Sequence, residues 1–363
     1  MTSRKAIAAF KATCQVDLPT ATLVPVLLEA LHEVVPSARN LFDWTDDDGR
    51  LLHYFIEGPV DEAVARHYFE VFHNRLEAQA MPAFGSLRTA AAGIRSASEL
   101  DHGRFFESAL YHEIWRPQGF RYRVEAVVRG SRGQLLGSLV LYRGPGERCF
   151  SAREEQTLGE LLPHIADAIE RQKPAPDVQR HIPRPQASQL LLIDLRGRVC
   201  HASPGARRLL MLARGGITRE RLDMPLDLLA GPLLDLLLRQ MRLHDKPAGP
   251  HLLTQDNAWG AFTFAATPLV PMPGAEPLVQ VMIHWSEPHQ VALQRALRRL
   301  PITPGQAVVC RALYEGQAQT QISQQLGVSP TTVIDHVRKV YRALDVRSAL
   351  ELRSRIEQAM HDG

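Results

Sequence analysis

The sequence predicts a multidomain protein, with two α+β domains in series followed by an all-α C-terminal domain. Three observations predict this. A chain of 363 residues exceeds what one core usually organises, at ~100 to 200 residues per domain. A stretch from 172 to 188 carries Pro174, Pro176, Pro183 and Pro185 and few large apolar residues, which reads as an extended linker. The apolar period also changes along the chain, from strand-like alternation mixed with helical spacing to helical spacing alone after residue 302. The expected partition is an α+β domain at 1–171, the linker at 172–188, a second α+β domain at 189–286, a connecting helix at 287–301 and the all-α domain at 302–363.

Hydrophobic residues make up 45% and charged residues 22%, the balance of a folded globular chain. The net charge of +3 permits nucleic-acid binding without arguing for it. Cys14, Cys149, Cys200 and Cys310 lie far apart with no C-x-x-C pair, which excludes a zinc ribbon or a redox pair and reads as buried thiols in a reducing compartment. The apolar stretch at the N-terminus is too short for a signal peptide, and no run of ~18 apolar residues occurs, so the expected location is the cytoplasm.

In the first domain, Ala21 to Val35 has the spacing of a helix, and Asn40 to Ile56 reads as two strands around Asp46-Asp47-Asp48-Gly49. A second hairpin spans Tyr122 to Tyr142 around Ser131-Arg132-Gly133. Ser151 and Glu154 form a capping box that opens a helix with Leu158, Leu161, Leu162, Ile165 and Ile169 on one face. In the second domain, Gln189 to Asp194 and Val199 to Ala202 form a hairpin. A short helix at 204–212 follows, and two strands near Trp259–Ala266 and Leu278–Trp285 close the domain. Val291, Leu293, Ala296, Leu297 and Leu300 make 288–300 a helix, which either relays a change to the last domain or spaces it.

The hairpin and closing helix of 18–172 resemble a GAF domain. The order of elements after the linker, and the phrase Leu190-Leu-Leu-Ile-Asp194-Leu-Arg-Gly197-Arg-Val199, are similar to a PAS domain. The competing reading of the second domain is a ligand-free packing domain. No residue upstream of 302 stands out as ligand-binding.

The last domain is sharply punctuated. Pro304 suits a first helical turn and Gly316 its end, while Thr320 to Leu326 forms a second helix closed by Gly327, which readily takes positive φ. Ser329 caps a third helix, Pro330 fits its first position, and Val333, Val337, Val340 and Leu344 form its inner face. A helix, a glycine turn and a capped helix make a helix-turn-helix. A final helix spans Ser348 to Met360.

Ile302-Thr-Pro, Glu315-Gly316, the run from Ile322 to Val333, His336 and Val346-Arg-Ser348 together resemble the LuxR-type helix-turn-helix of bacterial transcription regulators. The match spans 302–355. It departs at Gly305 and Gln306, where Arg-Glu is usual, and at Ile334 and Ala343, where Lys is frequent.

With the valines inward, Ile334, Asp335, Arg338 and Arg342 project toward a DNA groove. Arg338 can bond guanine O6 and N7 together, Asp335 can accept from cytosine N4, and Ile334 can pack on a thymine methyl. Asp335 can equally pair with Lys339 one turn on. Thr331 and Thr332 sit at the positive end of the helix and suit a phosphate, as does Arg347 just beyond it. The resemblance adds His336 and Lys339 as backbone contacts. It also implies a homodimer on a two-fold site through Leu350, Leu352 and Ile356, residues that can instead pack on the first helix of the domain. Residues 287–363 carry ten basic and seven acidic side chains, so the whole-chain excess is concentrated here.

The sequence lacks G-x-x-x-x-G-K-[ST], H-E-x-x-H and G-x-S-x-G, so no enzyme, cofactor or metal is expected. His53, His102, His112, His201, His251 and His284 lack partners at ligand spacing. Double-stranded DNA is the expected partner, with no membrane. Either the upstream domains sense a small molecule or a protein, or they serve as ligand-free dimerisation or docking platforms.

Overall fold

The computed structural model describes residues 4–16, 18–58, 60–90, 93–171, 180–243, 250–274 and 276–362. The chain divides into two compact units. One combines residues 1–35, 172–182 and 288–363; the other combines 36–171 and 183–287.

Two helices open the chain, α1 (Arg4–Cys14) and α2 (Thr20–Leu31). A first antiparallel sheet follows, built from β1 (Arg39–Thr45), β2 (Leu51–Ile56), β3 (Ile94–Arg95), β4 (Tyr122–Arg129) and β5 (Leu135–Arg143) in the order β2-β1-β5-β4-β3. Between β2 and β4 lie β3 and several short helical pieces, among them α3 (Glu62–His67) and α4 (Gly103–Phe106). Then α5 (Ala152–Glu170) packs on β4. The capping box forms as expected: Ser151 Oγ accepts from the Glu154 amide and Glu154 from the Ser151 amide. Leu158, Leu161, Ile165 and Ile169 are buried beneath α5.

Of the linker expected at 172–188, residues 172–179 lie outside the described residues. The rest is ordered by a short strand β6 (His181–Pro183), a 3-10 turn at Pro185–Ala187, and the buried Arg184, whose Nε donates to Glu287 Oε2 at 2.9 Å. Proline excludes a helix here but is compatible with extended backbone.

In the second sheet, β7 (Gln189–Asp194), β8 (Val199–Ala202), β9 (His251–Asn257), β10 (Gly260–Pro268) and β11 (Leu278–Pro288) run in the order β8-β7-β11-β10-β9. Phe262, Phe264 and Ala266 of β10 and Val279, Val281 and Ile283 of β11 are fully buried on alternate positions. The helices α6 (Ala206–Ala213), α7 (Arg219–Asp223) and α8 (Leu226–Leu243) lie between the hairpins; α8 and β9 were not legible in the sequence. The two sheets share one unit. The Tyr54 amide donates to the Ile217 carbonyl at 3.1 Å, and the Phe55 and Trp259 rings stack at 5.6 Å.

The helical unit contains α9 (His289–Arg299), α10 (Pro304–Tyr314), α11 (Gln319–Leu326), α12 (Pro330–Leu344) and α13 (Ala349–His361). Two features depart from the sequence reading. The helix at 287–301 is not a free connector, because Ala292, Leu293, Ala296 and Leu297 of α9 are buried with Leu352, Ile356 and Met360 of α13. Residues 4–16 and 18–35, read as part of the first α+β domain, pack here instead. Arg295 Nε donates to Glu29 Oε2 at 2.8 Å, Arg298 pairs with Glu33 at 2.9 Å, and Gln294 bonds Thr13. Such pairings, more than 260 residues apart, leave no local periodicity to read.

All four cysteines are free thiols. Cys14 and Cys310 are buried as expected, whereas Cys149 is half-buried and Cys200, on the edge strand β8, is exposed. No helix among the described residues is long and apolar enough to cross a membrane, and no cluster of His, Cys, Asp and Glu among them could hold a metal ion.

Candidate nucleic-acid interface

The helix α12 is placed by three local devices. Ser329 Oγ accepts from the Thr332 amide at 3.2 Å, and Pro330 at the first helical position has no N–H to leave unpaired. Gly327 closes α11 at φ +63°, the left-handed conformation the turn between the two helices requires. Asp345 ends α12 in the same region, at φ +52°.

Packing then decides which face α12 exposes. Val333 and Val337 are buried with Val309 and Ala312 of α10 and Ile322 of α11. Val340 and Leu344 join the second cluster with Cys310, Tyr314, Leu352 and Ile356. That clamps one stripe of the helix inward at positions 333, 337, 340 and 344. Thr331, Thr332, Ile334, Asp335, Arg338, Lys339 and Arg342 are consequently exposed on the remaining faces, with Arg347 exposed just beyond.

These residues are not equivalent. Among the described interactions Arg338 and Arg342 form no hydrogen bond or ion pair, so their guanidiniums are available to a ligand. Lys339 Nζ lies 2.6 Å from Asp335 Oδ2, and this hydrogen bond, with the Lys339 charge, holds the Asp335 carboxyl below its usual range. The Thr332 amide is taken by the Ser329 cap and its hydroxyl lies 2.9 Å from Ser329 Oγ. Since Pro330 has no N–H, Thr331 is the best remaining phosphate donor of the first turn.

His336 is half-buried, its Nδ1 closed off without a partner. Its Cε1 lies 3.7 Å from where a Cβ on Gly305 would stand, so His336 turns toward the start of α10. The departure at Gly305 thus sits directly beside His336. Gln306 costs the fold nothing, because its Oε1 accepts from the Thr303 amide at 2.7 Å and completes the cap of α10.

On α13, Leu352 and Ile356 are almost wholly buried in the unit's own core, while Leu350 is 76% exposed. Of the three residues the sequence offered for a dimer surface, two are already spent on intramolecular packing.

A polar group that the sequence reading missed lies on the first sheet. Asp43, Arg123, Glu125 and Ser138 are buried on β1, β4 and β5, where Arg123 and Arg95 both pair with Glu125, at 3.1 and 3.0 Å. The available signal was the alternation Arg39, Leu41, Asp43 and Arg123, Glu125, Val127, which puts charge on the same side of neighbouring strands.

A capped second helix held across a glycine turn, with a buried valine stripe and a basic outer face, defines a helix-turn-helix protein. Residues 301–355 match the family of bacterial regulatory proteins of the luxR type, and this segment is a LuxR-type helix-turn-helix DNA-binding domain. Among solved structures, a phage VqmA–DPO complex is 20% identical, covering 49% of this chain and 85% of that one with a TM-score of 0.21. A Vibrio cholerae VqmA–ligand–DNA complex is 16% identical over 48% of this chain and 85% of that one, TM-score 0.26. The E. coli DhaR(N)–DhaL complex is 13% identical over 74% and 86%, TM-score 0.22. No curated protein matches the chain.

Proposed function

We propose that this protein is a transcription regulator in which α12 enters the major groove of double-stranded DNA, under the control of a small molecule or partner sensed by the upstream sheets. The observation that carries the reading is the asymmetry of α12: a stripe of buried valines opposite a face on which Arg338 and Arg342 are exposed and, among the described interactions, without hydrogen-bonded partners. A guanidinium bonds guanine O6 and N7 in one plane, which makes Arg338 the sequence reader. Ile334, 39% exposed, offers an apolar contact to a thymine methyl. Thr331, Lys339, Arg342 and Arg347 supply phosphate contacts that fix the register of the helix.

The closing helix on a five-stranded antiparallel sheet supports the GAF-like reading upstream, and the hairpin, short helices and later strands of 189–286 support the PAS-like one. Two copies acting on a two-fold site would place two α12 helices about 34 Å apart, one turn of the duplex.

Selection of bound duplexes from a random pool by the full-length protein, at fixed salt, tests the reading. The expected product is a two-fold symmetric site with a conserved G·C pair in each half. A pool that never departs from random sequence rejects sequence-specific regulation.

A further inference from the structure

Within the first sheet, the polar face of β1, β2, β4 and β5 does not close on a solid core. It borders a cavity of about 120 Å³, walled on its other sides by the short helical segments between β2 and β4. Engineered apolar cavities of about 150 Å³ take up a benzene-sized ring, so the space suits one ring and little more. Phe69, Trp115 and Phe120 supply apolar wall, and Arg123, Glu125 and Asp43 line the polar side.

Three lining groups have hydrogen-bonding capacity left over. Asp43 is buried, and among the described interactions its carboxyl has a single hydrogen bond, from Ser138 Oγ to Oδ2 at 3.1 Å. Tyr54, opposite Asp43 in the β1–β2 register, and Tyr142, opposite Arg39 and Arg123, line the same cavity. Among the described interactions neither hydroxyl has a hydrogen bond. Polar groups with hydrogen-bonding capacity to spare, bordering one space of low polarity, mark a place where a ligand's polar edge would be rewarded.

The charged groups nearby are already matched. Glu125 is held by Arg95 and Arg123. Glu77, behind the wall, accepts from Tyr68 Oη at 2.7 Å and from the Asn74 and Phe84 amides. Arg39 donates to the Glu57 carbonyl and interacts with the Glu57 carboxylate charge. A charged ligand would surrender its hydration without finding a spare counter-charge.

We propose that this cavity binds a small uncharged molecule of one ring carrying a polar edge, which meets Asp43 and the hydroxyls of Tyr54 and Tyr142. The proposal deepens the sensing role above and rests on it for its regulatory meaning. Burial and the neighbouring Glu125 push the Asp43 carboxyl up to about 8, against the pull of the Ser138 hydrogen bond and of Arg123, with Glu77 adding to the rise. At neutral pH it is a protonated acid, both donor and acceptor, which complements an amide or a similar edge.

The test uses the full-length protein and three probes of one size: benzamide, benzoate and benzylamine, with binding followed by calorimetry at pH 6.5 and 9.5. Benzamide should bind at least tenfold more tightly than either charged probe at pH 6.5, and should weaken at pH 9.5 as Asp43 ionises. Asp43→Asn should keep the affinity and lose the pH dependence; Asp43→Leu should lose about tenfold. Val140→Trp, which fills the cavity from β5, should abolish binding, and the two Asp43 variants carry the test where that one fails to fold. Tightest binding of benzylamine or benzoate, or benzamide binding indifferent to every Asp43 substitution, overturns the proposal. So does folded protein that takes up no probe, which leaves sensing to the second sheet. Benzamide binding that leaves the affinity for the selected duplex unchanged keeps the site and removes its regulatory role.

Discussion

Lys339 Nζ lies 2.6 Å from Asp335 Oδ2, one turn apart on the exposed face of α12. The pair divides the work of the recognition helix, because a carboxylate on the groove face repels phosphate while restraining the one lysine of the domain. Asp335→Ala should therefore raise affinity across all sequences and steepen the salt dependence by roughly one unit of log–log slope, as Lys339 is released to phosphate. Lys339→Ala should flatten it by a similar amount. Fluorescence anisotropy at four salt concentrations measures both. A loss of preference at a single base pair in Asp335→Ala would instead make Asp335 a reader of cytosine.

Arg338→Ala should cost about 1 to 3 kcal/mol at the selected site and relax the preference at one position in each half. Repeating the selection with this variant is the check. An unchanged consensus removes Arg338 from the readers and leaves Arg342 as the guanidinium to examine.

The final helix separates folding from association. Leu352→Ala empties a buried site shared with α9 and should cost about 2 to 5 kcal/mol. Leu350→Glu, on an exposed position, should leave the unfolding midpoint nearly unchanged and weaken self-association. Denaturant melts and sedimentation distinguish the two. A monomer–dimer equilibrium untouched by Leu350→Glu places the dimer surface away from α13.

Glu154 of α5, paired with Arg143 of β5, provides a pH signature beside the first sheet. Burial alone would raise its carboxyl, but hydrogen bonds from Arg143 and from the Ser151 amide and hydroxyl, with the Arg143 charge, outweigh it and hold the group down to about 2. A folded value below the unfolded one stabilises the protein above about pH 4.5, and that contribution is lost as the pH falls through about 2. The shift corresponds to something on the order of 3 kcal/mol. Glu154→Gln should lower the melting midpoint at pH 7, with the gap to the parent narrowing steadily between pH 4.5 and 2. A gap constant across that range would show that Arg143 packs rather than pairs.

Much of this protein was legible in its sequence, and the reason is locality. Ser329, Pro330, Gly327 and the valines of α12 act within a few residues of one another, so capping, turn conformation and helical period were all written in a short stretch. The same holds for the Ser151–Glu154 cap and for the hairpins β1–β2 and β4–β5. The sequence determined that α12 exists, where it starts and which stripe it buries, and hence that Arg338 faces outward.

Tertiary structure decided what depends on distant partners. Only packing shows that α1 and α2 belong with α9, through Glu29–Arg295 and Glu33–Arg298, and that Leu352 and Ile356 are consumed by the core. It also turned His336 toward Gly305 and gave Asp335 to Lys339. The group of Asp43, Tyr54, Tyr142 and Arg123 comes from four strands spread over a hundred residues. Each looked like an ordinary strand residue in the sequence, and a shared environment of low polarity is a property of the folded sheet alone.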